Sequence, residues 1–230
     1  LKTLGLIGGM SWESTLPYYR QINQTVKDTL GGLHSAKLIL YSVDFAEVAQ
    51  LQATGQWAAT GQLLADAARK LEGAGADALV LCTNTMHKVA HTIEAAVTIP
   101  LIHIADPTAR AATQADLTTV GLLDTRFTME QDFYRARLDN QFGLTVLTPA
   151  SAVRDEVHRI IFEELCLGQV HAASQQQLQQ AVAQLQAQGA QAIILGCTEL
   201  AMSLLPEQVP LPLFDTAALH ARAAALWALS

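Results

Sequence analysis

A chain of 230 residues that is 50% apolar and 15% charged has enough material for one large or two small cores, which excludes disordered and fibrous classes. Its formal charge of −7, with no run of Lys or Arg, argues against nucleic acid or an anionic membrane as partner, so any positive potential that an anionic ligand needs has to be local. Three cysteines, Cys82, Cys166 and Cys197, form no C-x-x-C pair and no disulfide framework, and a reducing cytoplasm is the expected setting.

The chain opens on strand-like residues 4–8, leaving no room for a signal peptide, and no apolar run approaches the length of a membrane span. Gly8 and Gly9 permit a tight turn, and Ser11 or Ser14 is expected to cap the helix that carries Tyr18, Tyr19 and Ile22 and stops before Gly31 and Gly32. Residues 38–43 read as a second strand and 57–71 as an alanine-rich helix. The continuous apolar run at 78–82 reads as a strand buried on both faces, followed by a helix over 84–96. Residues 99–104 lead towards a second domain.

The second half repeats the scheme. A strand at 119–123 runs into a polar turn, Asp124-Thr125-Arg126-Phe127-Thr128, and a helix with Phe133, Tyr134 and Leu138. A strand at 144–147 and helices over 154–166 and 171–188 follow; the glutamine-rich helix keeps Leu178, Val182 and Leu185 on one face. A strand at 192–195, a short strand within 210–215 and a closing helix from 216 to 229 complete the chain. Strands alternating with helices imply parallel sheets with right-handed crossovers.

Three matches at nearly one offset point to duplication. Thr83 and Cys197, each after an apolar run, are 114 apart, Gly5 and Gly121 are 116 apart, and Tyr19-Arg20 and Tyr134-Arg135 are 115 apart. Two like α/β domains are expected, residues 1–100 with 214–230 and residues 101–213, facing each other across a cleft with Thr83 on one wall and Cys197 on the other. Ligands of open parallel sheets bind where strands pass into helices, because helix N-termini there offer unpaired N–H groups. Cys197, after Gly196 and before Thr198-Glu199, is read as a thiol at a helix start with a lowered pKa, whereas Cys82 and Cys166 are read as space-filling.

Thr83-Asn84-Thr85-Met86-His87, Gly196-Cys197-Thr198-Glu199 and Gly8-Gly9-Met10 together resemble the signatures of the cofactor-independent aspartate/glutamate racemase family, over nearly the whole chain. The resemblance implies two pseudo-symmetric domains, each with a four-stranded parallel sheet flanked by helices. It also implies an active site between them, a final helix packing back on the first domain, an amino-acid substrate, no cofactor and a homodimer. In that family two thiols face the substrate α-carbon from opposite sides, one removing a proton and the other returning one. Here Thr83 stands where the first cysteine belongs, and Cys82 is one residue out of register on a strand whose side chains alternate. Cys197 is then the base for the L-enantiomer and Thr83 an asymmetric partner.

Asn84, Thr85 and Thr198 are the expected carboxylate donors, with Thr125 and Thr128 as further contacts or simple helix caps; Met10 and Ser11 line the site, and Trp12 lines it or packs. Distal-carboxylate positions of the family fall near Gln52 and Cys166, which leaves recognition of an acidic side chain to Arg126 or backbone donors. Glu199 orients Thr198 or favours the helix start, and His87 is a structural hydrogen-bonding group. Other readings stay open: an isomerase or decarboxylase of the same superfamily using one cysteine, or a small-ligand-binding module. The Gly5-x-x-Gly8-Gly9 turn lacks a dinucleotide or phosphate-loop pattern, and His87 with His91 lacks a third metal ligand.

Overall fold

The computed structural model describes residues 1–230, which form two compact units: Leu1–Ile104 with His220–Ser230, and Ala105–Leu219. The first unit runs β1 (Thr3–Gly8), α1 (Trp12–Leu30), β2 (Lys37–Ser42), α2 (Phe45–Ala53), α3 (Trp57–Gly73), β3 (Ala78–Leu81), α4 (Ala90–Glu94) and β4 (Leu101–Ile102). All four strands are parallel, in the order β2-β1-β3-β4. The second unit runs α5 (Ala105–Gln114), β5 (Thr119–Leu123), α6 (Arg126–Glu130), α7 (Asp132–Phe142), β6 (Thr145–Leu147), α8 (Ser151–Glu163), α9 (Ala172–Ala187), β7 (Ala192–Leu195) and β8 (Leu213–Asp215). Its sheet is again all parallel, in the order β6-β5-β7-β8. The closing helix α10 (Thr216–Leu229) belongs to the first unit from His220 onward. No helix is long and apolar enough to cross a membrane.

The divisions fall a few residues from those expected from the repeat. Leu101–Ile102 pairs with β3, which keeps it in the first sheet, and Leu213–Asp215 pairs with β7, which keeps it in the second. The central strands behave as their composition demands: all four residues of β3 and of β7 are buried, as expected of strands covered on both faces. Gly5 and Gly121 occupy the same place in the two sheets. A Cβ on Gly5 would lie 3.1 Å from Leu71 Cβ on α3, and one on Gly121 would lie 2.9 Å from Leu185 Cδ1 on α9, so each helix closes on a strand at its glycine.

The tyrosine match is corrected by one residue. Tyr18 and Tyr134 are both fully buried whereas Tyr19 is 58% exposed, so the structural repeat pairs Tyr18 with Tyr134 at the same offset as the two glycines. On α1, Tyr18, Ile22 and Val26 face the core at helical spacing, and the helix stops at Gly31, whose φ of +74° is open to glycine. Neither expected serine cap forms. Ser14 and Thr15 hydroxyls donate to Ser11 O, and Thr15 Oγ1 instead accepts the Gly9 N–H at 2.9 Å.

Two helices escape the sequence pattern. α5 buries only Ala105, Thr108, Ala109 and Ala112, and α2 buries only Val48 and Gln52, so neither shows a stripe of large apolar residues. The helix expected over 84–96 is instead a 3₁₀ stretch, Thr85–Val89, followed by the short α4.

Candidate active site

Parallel strands place their C-terminal ends on one edge of a sheet, and in each unit the two central strands end beside each other there. In the second unit these ends carry Asp124-Thr125 after β5 and Gly196-Cys197-Thr198-Glu199 after β7. The Gly196 N–H donates to Leu123 O at 2.8 Å, carrying the pairing one residue past the strand. A Cβ on Gly196 would stand 2.5 Å from Asp124 Oδ2, so the turn approaches Asp124 as closely as it does only because residue 196 is glycine.

Cys197 is 8% exposed, and its Sγ donates to Glu199 Oε2 at 3.1 Å. The Thr198 hydroxyl donates to the same oxygen at 2.7 Å, and Cys166 Sγ approaches Glu199 Oε1 at 3.8 Å. Glu199 therefore orients Thr198, as one of its expected roles has it, and gathers both thiols as well. Cys166, read as a space-filler, comes to this carboxylate from the 3₁₀ turn Leu165–Leu167; nothing in its local sequence signals it. A hydroxyl has one proton to give, so the Thr198 side chain is committed to Glu199.

The expected low thiol pKa is overturned. The turn after β7 leads into a three-residue 3₁₀ helix, Leu200–Met202, which lacks the aligned peptides of an α-helix N-terminus. Burial pushes the Cys197 thiol well above its ordinary value, and the charges of Glu199, Cys166 and Asp124 push it the same way. Burial also raises Asp124 to about 7, helped by the charge of Glu199 and opposed by the Thr125 N–H that its Oδ1 accepts. Asp124 stands out only in the folded chain; its one signal in the sequence is a carboxylate directly after an apolar strand.

Thr125 and Thr128 sit under the same edge, both buried, with their hydroxyl oxygens 3.4 Å apart. Thr125 occupies the N-cap of α6, but its side chain makes no cap bond. Arg126 points to the surface, where it pairs with Asp155 at 3.3 Å.

In the first unit, Met10 and Ser11 follow β1, and Thr83, Asn84 and Thr85 follow β3, all five buried at one sheet edge. Gly9, at φ +92°, would place a Cβ 2.4 Å from Val43 O, so the turn bearing Met10 needs glycine. Trp12 is exposed, and Gln52 is buried on α2 rather than on either turn. Cys82 is fully buried, its Sγ 3.7 Å from Val80 O, and burial drives its thiol pKa up. His87 Nδ1 lies 2.7 Å from Thr83 O, and its Nε2 accepts the Ile104 N–H at 3.3 Å. Both ring nitrogens are thus engaged, which removes His87 from the two-histidine metal reading. The broad groove beside α1, lined by Leu16, Tyr19, Arg20 and Lys27 among others, holds none of these residues.

A model of the Asp/Glu/Hydantoin racemase family matches residues 7–224. A candidate Asp/Glu racemase of known structure from Yersinia pestis is 56% identical over the whole of both chains, with a TM-score of 0.92. An aspartate racemase homologue from Pyrococcus horikoshii is 32% identical over the whole of both chains, with a TM-score of 0.85. A glutamate racemase from Francisella tularensis, solved with D-glutamate, is 18% identical, covers 99% of this chain and 80% of its own, and at a TM-score of 0.68 shares the fold. With two four-stranded parallel α/β units, a duplicated sheet edge and a family match across nearly its full length, the chain belongs to the Asp/Glu/Hydantoin racemase family.

Proposed function

We propose that this chain racemises aspartate, glutamate or both without a cofactor, with Cys197 as the base for the L-enantiomer and Thr83 as the group that serves the opposite face of the α-carbon. The observation that carries the reading is the Cys197–Glu199 pair: a buried thiol at the C-terminal edge of a parallel sheet, with a carboxylate oxygen 3.1 Å away to receive its proton. Thr83 stands at the equivalent turn of the other sheet, and inversion needs an acid and a base on opposite faces.

In this reading Cys197 passes its proton to Glu199 Oε2 and, as thiolate, removes the substrate α-proton. Thr83 then gives its hydroxyl proton to the other face of the carbanion and takes another from solvent, to which Glu199 releases the proton it received. Asn84, Thr85, Thr125, Thr128 and the Thr198 backbone N–H hold the α-carboxylate, where negative charge builds up, while Met10, Ser11 and Gln52 bound the side-chain end. A homodimer fits the exposed stripe of Trp12, Leu16 and Tyr19 on α1, spaced at helical intervals; light scattering of the wild type and of Leu16→Glu tests it.

The decisive experiment follows L-aspartate and L-glutamate in heavy water by NMR, with chiral analysis of the products. Deuterium at Cα together with D-product supports racemisation, and activity should survive dialysis against a chelator. Loss of carbon dioxide would favour the second reading, a one-cysteine decarboxylase, which the presence of a thiol at only one of the two equivalent turns supports. Activity restored only by added pyridoxal phosphate would overturn both.

A further inference from the structure

The two equivalent turns are held by different means. In the second unit the Cys197 carbonyl accepts the Leu200 N–H at 3.1 Å, a bond internal to the turn, and the residue matching His87 in the repeat is Ala201. In the first unit the Thr83 carbonyl is held by the His87 side chain, with Nδ1 at 2.7 Å. The tautomer follows from the other nitrogen: a backbone N–H can only donate, so Nε2, which faces the Ile104 N–H, carries the lone pair and Nδ1 carries the proton. The ring is 4% exposed; it lies 4.4 Å from the His103 ring, centroid to centroid, at a tilt of 59°, and edge-on at 6.1 Å to His220. His220 is itself fixed, Nε2 donating to Ile102 O at 2.7 Å and Nδ1 lying 2.9 Å from Tyr18 Oη. His87 is thus a rigid strut between the Thr83 turn and the chain leaving β4.

We infer that His87 is a positioning residue for Thr83, acting through the Thr83 carbonyl to set the direction of the hydroxyl, and that it serves only one of the two faces of the substrate. This rests on the assignment of Thr83 to the second face. The chemical reason is the weakness of the group being positioned. A hydroxyl far from ionisation is a weak acid, so its proton transfer to a carbanion depends most heavily on good alignment. A side chain therefore braces the carbonyl of the threonine, whereas the carbonyl of the cysteine is held by a backbone N–H.

Two substitutions separate the two bonds. Asparagine at 87 keeps a donor near the Nδ1 position and loses the acceptor for Ile104; glutamine keeps an acceptor near Nε2 and loses the donor to Thr83 O. With L-substrate in heavy water, His87→Gln should lower D-product formation about 10- to 100-fold relative to deuterium entering recovered L-substrate, while His87→Asn should leave that ratio within a few fold of wild type. Equal loss of exchange and inversion in both variants, or an unchanged ratio in His87→Gln, would overturn the inference. Thr83→Ala is the control: if it leaves inversion intact, the assignment of Thr83 fails whatever His87 does, and if it abolishes inversion while His87→Gln keeps the ratio, only the role of His87 fails. Should the variants not fold, the wild type still decides through ¹⁵N-histidine NMR. An Nδ1–H tautomer for His87 is expected, and an Nε2–H tautomer would rule out the strut.

Discussion

Cys197 Sγ donates to Glu199 Oε2 at 3.1 Å, and the same oxygen accepts the Thr198 hydroxyl, so one carboxylate both raises the cost of the thiolate and offers the place for its proton. The two effects separate on mutation. Glu199→Gln removes a negative charge and should move the Cys197 thiol pKa down, read by ultraviolet thiolate absorbance or alkylation rate against pH. It also removes the proton acceptor, and exchange at Cα of the L-substrate should fall about 10²-fold. A faster enzyme would mean that Glu199 only opposes ionisation.

The wild-type pH dependence follows from where the thiol proton goes. Burial and then the charge of Glu199 hold the thiol protonated, and on the proposed mechanism the reactive form is the thiolate. Because Glu199 receives that proton, forming the thiolate takes up and releases none, and exchange at Cα should be nearly flat with pH across the neutral range. A rate that rises about tenfold per pH unit through that range would mean that the thiol loses its proton to solvent and not to Glu199.

Cys197→Ser should lower proton removal from the L-acid by about 10²- to 10⁴-fold, since the replacement hydroxyl is scarcely ionised at neutral pH. Cys82→Ser should keep most of the activity, because Cys82 is fully buried with its thiol turned to Val80 O. Cys166→Ser, which touches only the far oxygen of Glu199, should be intermediate. Loss of activity in Cys82→Ser with retention in Cys197→Ser would reverse the site assignment.

Asp124 gives a stability prediction. Its carboxyl is raised to about 7 by burial and then by Glu199, so the native state holds a proton that the unfolded chain, near 3.8, releases. The stability it carries is full below 3.8 and drains away as pH rises through about 7, a total on the order of 4 kcal/mol if no other group compensates. Asp124→Asn should therefore gain stability over wild type at pH 8 and lose that advantage by pH 4, in paired denaturant melts. A gap independent of pH would mean that Asp124 does not change its protonation on folding.

Thr83→Cys should make the two faces more alike. On the proposed mechanism Cys197 returns a solvent deuteron to the face it deprotonated more easily than Thr83 protonates the other. L-acid in heavy water should thus show deuterium in recovered L-substrate before comparable D-product, and Thr83→Cys should narrow the gap. Free enantiomers have equal energy, so kcat/KM must match in the two directions and no variant becomes one-way. Recovered L-substrate free of deuterium at half conversion would refute the asymmetry.

The sequence by itself determined the α/β class, the duplication and the two turns after β3 and β7. Buried parallel strands write continuous apolar runs, and the break to small polar residues marks the strand end. It also determined that Thr83 and Cys197 are equivalent positions with different chemistry. Local sequence could not show α5, whose buried face is alanine and threonine, nor which tyrosine repeats, because Tyr18 and Tyr19 differ only in what packs against them. The state of the site was decided by tertiary structure alone. Whether the Cys197 thiol is acidic or not depends on burial and on Glu199, Cys166 and Asp124 converging from three segments, and whether Thr83 is held depends on an imidazole wedged between its carbonyl and Ile104. Electrostatics and hydrogen bonds act over a few ångströms in space, and distances of that kind are set by packing, not by position along the chain.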